Sequence, residues 1–307
     1  MGSFAVGFSG NSIRFAGLSD DKQLSHISEL ETDFDFDNEI PAHHGDDHLI
    51  SELASVICEN LKKVENISSS SVSLVINTMQ MFSNVMPLEV EEDEQVTSSN
   101  ILWDTSIYFP EEYENFNINY YRLKKLSLED SEDNIYNVLV LGINRNIINF
   151  YRRIFDECGL KIDLFDSDHS AVSGLVSDLD DGNSTYGLLG LKPGRIDLSI
   201  NQNDEIKYFD YSYTGSFDFK RELDKDLTTL ELDDNFEKVK TIYIYGESLL
   251  ESVKEYLEQK YEDREIKILD PLEKYANDSS TDSILHFSSA ARFAPLFGLA
   301  LKSLEQD

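Results

Sequence analysis

The strongest constraint on what this chain can fold into is an order of elements that occurs twice. Phe4-Ala5-Val6-Gly7-Phe8 and Ile13-Arg14-Phe15-Ala16-Gly17-Leu18 read as two short apolar strands. The residues between them, Ser9-Gly10-Asn11-Ser12, are turn formers. A third strand is expected over Leu24 to Leu30. Past the middle of the chain the same opening returns, as three consecutive strand patterns over Tyr186 to Leu191, Arg195 to Asn201 and Glu205 to Tyr213. After each opening, helical and strand periodicities alternate. Alternation predicts α/β sheets, and the repeated opening predicts two similar lobes. Asp180-Asp181-Gly182-Asn183-Ser184 is the clearest linker. The expected lobes are therefore residues 1–179 and 180–307, with a helix over 290–307 packing near their interface.

The first half carries more than its counterpart. Leu49, Ile50, Leu53, Ala54, Ile57, Cys58 and Leu61 give an apolar helical stripe, and Asp46 or Asp47 is placed to cap it. The neighbouring His43, His44 and His48 read as loop and helix start, because adjacent histidines cannot share a helix face. No metal set is expected there. A strand over Val72 to Ile76 leads into a stretch, about 68–130, that reads as a small inserted α+β subdomain. Within it, a helix is expected to end at Tyr108-Phe109-Pro110, since proline disfavours the helical conformation just before itself. Tyr136 to Ile143 is almost uniformly apolar, the pattern of a strand covered on both faces. From Glu29 to Glu39, charged residues alternate with Leu30, Phe34 and Phe36. That spacing predicts an edge strand or a solvated extended segment, and an EF-hand's glycine and ligand spacing is missing.

Charge excludes whole classes of function. The 307 residues carry 59 Asp and Glu against 26 Lys and Arg, a formal net charge of −33. Such a surface repels polyphosphate backbones and anionic lipid, so neither nucleic acid nor direct membrane insertion is expected. With 40% apolar and 11% aromatic residues, the chain is nonetheless a folding one. No secretory signal or membrane-length apolar run is visible in the sequence, and Cys58 and Cys158 read as buried free thiols. These features give a cytoplasmic expectation.

Several stretches resemble the actin-like PilM family of type IV pilus assembly, related to the cytoplasmic part of type II secretion GspL proteins. Ile101-Leu102-Trp103-Asp104 through Tyr108-Phe109-Pro110-Glu111-Glu112 is similar to that family's apolar-Trp-Glu and Tyr-Ile-Pro segment. Cys158-Gly159-Leu160 looks like its Ala-Gly-Leu, and Arg292-Phe293-Ala294-Pro295 with Phe297-Gly298-Leu299-Ala300-Leu301 like its closing helix. The resemblance implies a two-lobed actin-like (ASKHA, ribonuclease H-like) fold from a bacterium. It also implies a cytoplasmic scaffold, peripheral at the inner membrane through a protein partner. That partner is a PilN-like inner-membrane pilus assembly protein, whose tail binds in a groove of the first lobe. Trp103, Tyr108, Phe109 and Pro110 are the candidates for framing that groove. Self-association is left open.

The same resemblance locates a nucleotide site that departs from the family. Gly7 and Gly190 stand where the family's two phosphate hairpins carry an Asp, Pro193 removes an amide donor, and the adenosine-side glycine pair is reduced to Gly246 followed by Glu247. Asn11, Ser12, Lys192, Arg195 and Gly246 remain as a weak nucleotide site. Without carboxylates Mg has no evident anchor. The expectation is a pseudo-ATPase with no catalytic residues and no required cofactor, ATP and Mg being the only candidates. One alternative is a functioning actin-like ATPase or a sugar/acetate-kinase-like enzyme using Asp163, Asp166 and Asp168. Another is a structural actin-fold protein unrelated to pili.

Overall fold

The computed structural model describes residues 2–62, 71–90, 94–108, 113–126, 134–180, 184–203, 205–215, 219–276 and 290–306. The first lobe opens with strands β1 (Ser3–Ser9), β2 (Ser12–Leu18) and β3 (Leu24–Glu31), then helices α1 (Ile40–His43) and α2 (Asp47–Leu61). Strand β4 (Ser71–Ile76) and the insertion β5 (Phe82–Glu89), α3 (Glu94–Thr105), β6 (Phe116–Lys125) and β7 (Ile135–Asn144) follow. Helix α4 (Arg145–Glu157), β8 (Lys161–Ser167) and α5 (Asp168–Leu179) complete this half. The second lobe has β9 (Thr185–Lys192), β10 (Arg195–Gln202), β11 (Glu205–Tyr213), α6 (Phe219–Leu230), β12 (Thr241–Gly246), α7 (Leu250–Lys260), β13 (Glu265–Ile268) and α8 (Leu272–Tyr275). Helix α9 (Ala294–Leu304) closes the described chain.

The two five-stranded sheets have the same plan. One runs β3-β2-β1-β4-β8 and the other β11-β10-β9-β12-β13. In each, an antiparallel meander of three strands continues into two parallel ones. This is a two-lobed actin-like architecture. The third sheet, β5-β7-β6, is antiparallel and belongs to the insertion. Its strands span Phe82 to Asn144, whereas β4 is an inner strand of the first five-stranded sheet. The expected limits of 68–130 are corrected accordingly. The reason is that the apolar run of β7 is the central strand of the insertion. One of its faces, with Val138 and Val140, packs under Ile101 of α3. The other, with Leu139 and Leu141, meets Ile206 and Phe209 of β11.

Local signals in the sequence act as expected at several ends. The Asp46 carboxylate accepts from the His48 and Leu49 amides (3.0 and 3.1 Å) and caps α2. Ser167 caps α5 by accepting from the Ser170 amide. Helix α9 lies on the first lobe's sheet and on α5, where Gly298 has no room for a side chain: a Cβ there would sit 2.0 Å from the Ala171 carbonyl oxygen. Two expectations are corrected. Beyond β3, Phe34 and Phe36 are not solvated but core residues packed with Phe8 and Phe150. The two cysteines are not free thiols: Cys58 of α2 and Cys158 beside α4 form a disulfide, with Cα atoms 5.4 Å apart. Packing of α2 on α4 brings together residues 100 positions apart, which no local pattern reveals.

Candidate functional site: the interlobe cleft and the neighbouring groove

The β1–β2 and β9–β10 hairpins face the cleft between the lobes, where an actin-like enzyme holds phosphates. Of the two glycine positions expected to carry carboxylates, 7 is crowded and 190 is filled. A Cβ on Gly7 would lie 3.0 Å from the Leu296 methyl of α9. On Gly190 it would lie 2.5 Å from the Tyr245 hydroxyl and 2.7 Å from the ring carbon bearing it. Leu296 could move aside. Tyr245 could not: its ring is buried, and its hydroxyl is 2.9 Å from Nδ1 of His169, whose Nε2 is 2.9 Å from Ser199 Oγ. Burial holds the His169 imidazole neutral, its pKa pushed down to about 3.

The cations of the cleft are already engaged. Opposite Gly190 on β10 stands Asp197, fully buried. It accepts from Lys192 Nζ at 2.6 Å and from Arg195 Nε at 2.7 Å. Lys192 also pairs with Asp168 at 2.5 Å. Burial pushes the Asp197 carboxyl up, but Lys192 and Arg195 outweigh it and hold it below the usual carboxylate range. Burial, reinforced by the nearby Asp197 charge, pushes Asp168 up. The charge of Arg14 on β2 is likewise consumed. Its guanidinium bridges Glu29 of β3 and Glu247 of the second lobe, each at 2.7 Å. Arg292 binds the other Glu29 oxygen at 2.7 Å.

The phosphate-loop donors also have internal carboxylate partners. The Gly10 amide donates to Asp37 at 2.8 Å and Ser9 Oγ to Glu247 at 2.8 Å. Asn77 Nδ2 bridges Ser9 Oγ and Asp37, at 3.1 and 3.0 Å. Burial raises the Asp37 carboxyl to about 6. Gly246 takes φ +120°, and a Cβ there would meet the Leu191 carbonyl oxygen at 2.1 Å, so only glycine fits before Glu247. Among the described residues, the hollow that Gly7, Arg14, Lys192, Gly246 and Glu247 line measures about 30 Å³. That is room for one water, whereas ligand pockets measure some ~300–1,000 Å³.

Of the five residues expected to hold a nucleotide, Lys192 and Gly246 line this space; Asn11, Ser12 and Arg195 do not. Asn11 is exposed at the hairpin tip, and Arg195 is fully buried in the ion cluster. Asp163, Asp166 and Asp168 do not converge: they engage Ser73, Lys302 and Lys192 respectively. Asn77, Thr78 and Asp197 escaped the sequence reading, and Asp37 entered it only within the charged run from Glu29 to Glu39. Charged residues at alternate positions in the apolar strand Arg195-Ile196-Asp197 were the available signal, since both side chains share one face.

A second concavity lies beside the insertion. Strand β8 is an edge of the first five-stranded sheet and β6 an edge of the third. Between them runs an apolar hollow of about 270 Å³ with Ile76, Met81, Ile118, Leu141, Ile143 and Phe165 in its walls. Tyr121 and Asp166 line it and also a polar hollow of about 340 Å³, where Ser170, Ser173, Asn201 and Lys302 take over. Phe165 is 42% exposed in it, unusual for a large apolar side chain on a strand. Trp103 and Tyr108 are elsewhere, exposed along α3 and just past its end, with Tyr108 against Phe82 and its hydroxyl 3.0 Å from Asn84 Nδ2. Phe109 and Pro110 lie outside the described residues.

Two lobes of repeated topology with a cleft between them define an actin-like protein. Neither the protein-family models nor the curated proteins include a match. Among solved structures, the chain is similar to one from a PilM–PilN type IV pilus biogenesis complex, with a TM-score of 0.72, 13% identity and 98% of each chain covered. It is similar at TM-score 0.51 and 7% identity to the ethanolamine utilization protein EutJ from Carboxydothermus hydrogenoformans, over 98% of this chain and 89% of that one. An inorganic polyphosphate/ATP-glucomannokinase from Arthrobacter sp. strain KM aligns at TM-score 0.50 and 9% identity, over 100% and 99%. At these identities the likeness is one of fold, and the fold hosts kinases and pilus components alike.

Proposed function

We propose that this protein is an actin-like scaffold of a pilus or related secretion system that has exchanged nucleotide chemistry for partner binding. The observation that carries the first half of this reading is Tyr245, whose buried ring fills the space a carboxylate at position 190 would need. Engagement of Lys192, Arg195 and Arg14 by internal carboxylates supports it, because a triphosphate would have to displace them in a chain of net charge −33. Calorimetry with Mg-ATP tests it. No heat of binding at millimolar nucleotide is expected, whereas micromolar affinity with phosphate release would overturn it.

The second half rests on the groove. Two strand edges and an apolar floor suit an extended peptide that adds backbone hydrogen bonds and places alternate side chains in pockets. The occupant proposed is the tail of a PilN-like inner-membrane protein, basic so as to complement the acidic surface. Among the described residues no helix is long and apolar enough to cross a membrane, so membrane association would come through that partner. The setting proposed is the cytoplasm, where the Cys58–Cys158 bond would be unusual. Titration of the tail peptide against the protein at two salt concentrations tests the partner. Affinity that falls as salt rises is expected, and no binding at low salt would overturn it.

A further inference from the structure

We propose that the buried cluster of Lys192, Arg195 and Asp197 is a positioning device that sets the geometry of the neighbouring groove, so that lobe closure and groove occupancy are one equilibrium. The inference deepens the partner-binding reading and rests on it. Its basis is what the second lobe holds. The turn from Thr78 to Gln80 joins β4 to the insertion, and the second lobe grips this root directly. Thr78 Oγ1 donates to Asp197 at 2.7 Å and accepts from Lys192 Nζ. Arg195 donates to the Thr78 carbonyl at 3.2 Å and to Ser83 Oγ of β5 at 2.8 Å.

Both walls of the groove end at this cluster. One wall contains Ile76 and Met81, which flank Thr78 in sequence. The other contains Phe165, Asp166 and Ser167, and the next residue is Asp168. Asp168 accepts from the Thr78 amide at 3.2 Å and pairs with Lys192 at 2.5 Å. A lobe movement that separates Lys192 from Asp168 therefore pulls on both walls together. The bonds are buried, with Arg195 and Asp197 at 0% exposure, so water cannot replace them at low cost and the arrangement has two states rather than a continuum. By linkage, an occupant that prefers one groove width must bias lobe closure by the same factor.

The experiment uses Thr78→Val, which keeps side-chain volume and removes the hydroxyl. Thr78→Ser restores it. Trp103, the only tryptophan, lies on the insertion and serves as energy-transfer donor to a dye on Leu232→Cys in the second lobe, a position 80% exposed. Both native cysteines are in the disulfide, so the introduced thiol is labelled alone under non-reducing conditions. The expected result is a changed transfer efficiency in Thr78→Val, recovery in Thr78→Ser, and about tenfold weaker binding of a synthetic basic tail peptide to Thr78→Val alone. Transfer identical in all three proteins overturns the positioning role. Peptide affinity unchanged in Thr78→Val while transfer changes overturns the link to the groove. A peptide that fails to bind even the wild type, with transfer changing as expected, overturns the partner reading and leaves the positioning role standing.

Discussion

The cleft and the groove are neighbouring concavities with opposite chemistry. In the cleft, Arg14, Lys192 and Arg195 are engaged by internal carboxylates, and the hollow that the described residues leave between them measures about 30 Å³. In the groove, among the described residues, the exposed Phe165 and the outer edges of β6 and β8 border hollows of about 270 and 340 Å³. The difference teaches where binding energy is available. Displacing a satisfied buried ion pair costs roughly what a ligand's charges return, whereas covering apolar surface yields about 25 cal/mol per Å². On the proposed reading, the chain keeps the actin-like fold and binds at the seam where the insertion meets the lobe.

The largest expected effect lies outside both regions and serves as their control. Reducing the Cys58–Cys158 bond releases a cross-link over 100 residues. Chain-entropy reasoning puts its contribution at about 4–5 kcal/mol, which urea denaturation with and without reductant would measure. Tail affinity should not change, since neither cysteine lines either concavity. If tail affinity follows the disulfide, the groove is not an independent region.

Next in size is Asp197→Ala, which leaves Lys192 and Arg195 buried without their shared anion. A loss of about 3–5 kcal/mol is expected in denaturant unfolding. A loss below about 1 kcal/mol would mean that the cluster is wet and the cleft no different from the groove. Glu247→Gln is expected to cost less, about 1–2 kcal/mol, because Arg14 retains Glu29. Mg-ATP should still give no heat with that variant, since Tyr245 still fills the space at position 190. Micromolar binding by Glu247→Gln would show that the carboxylate plug alone had closed the cleft.

Phe165→Asp sharpens the other side. A side chain this exposed should change stability by no more than about 0.5 kcal/mol, while tail affinity falls about tenfold. Equal losses in both would make Phe165 a core residue and leave the groove unsupported. The smallest effect concerns pH. A carboxyl raised to about 6 binds its proton more tightly in the folded than in the unfolded chain, so Asp37 makes stability decline as pH rises from about 4 to about 6. In Asp37→Asn the stability–pH slope over that window should become less negative, whatever the variant's overall offset. An unchanged slope would assign the titration to another group.

Much of the fold was legible because it is written in short-range patterns. Turn residues between β1 and β2, the cap at Asp46 and the uniform apolar run of β7 each depend on neighbours a few positions away. The resemblance to the PilM family, and no pattern within the chain, is what implied that Gly7 and Gly190 stand where a carboxylate is expected. The sequence could not show what fills the vacated space. Leu296 and Tyr245 arrive there from 289 and 55 positions along the chain. The concavity beside the insertion was not legible either. Trp103 and Tyr108 drew attention as aromatics, while the walls came from Ile76, Ile118 and Phe165, unremarkable residues on three different strands.

The sequence by itself determined two lobes of like topology, an insertion in the first and a strongly acidic composition. Each follows from composition or from the order of periodic segments along the chain. Only the tertiary structure decided that Lys192 and Arg195 serve Asp197 and not a phosphate, that Cys58 meets Cys158, and that two sheet edges leave a groove between them. The physical reason is that charge neutralisation, cross-linking and concavity are relations between segments brought together by folding, and no window along the chain contains both partners.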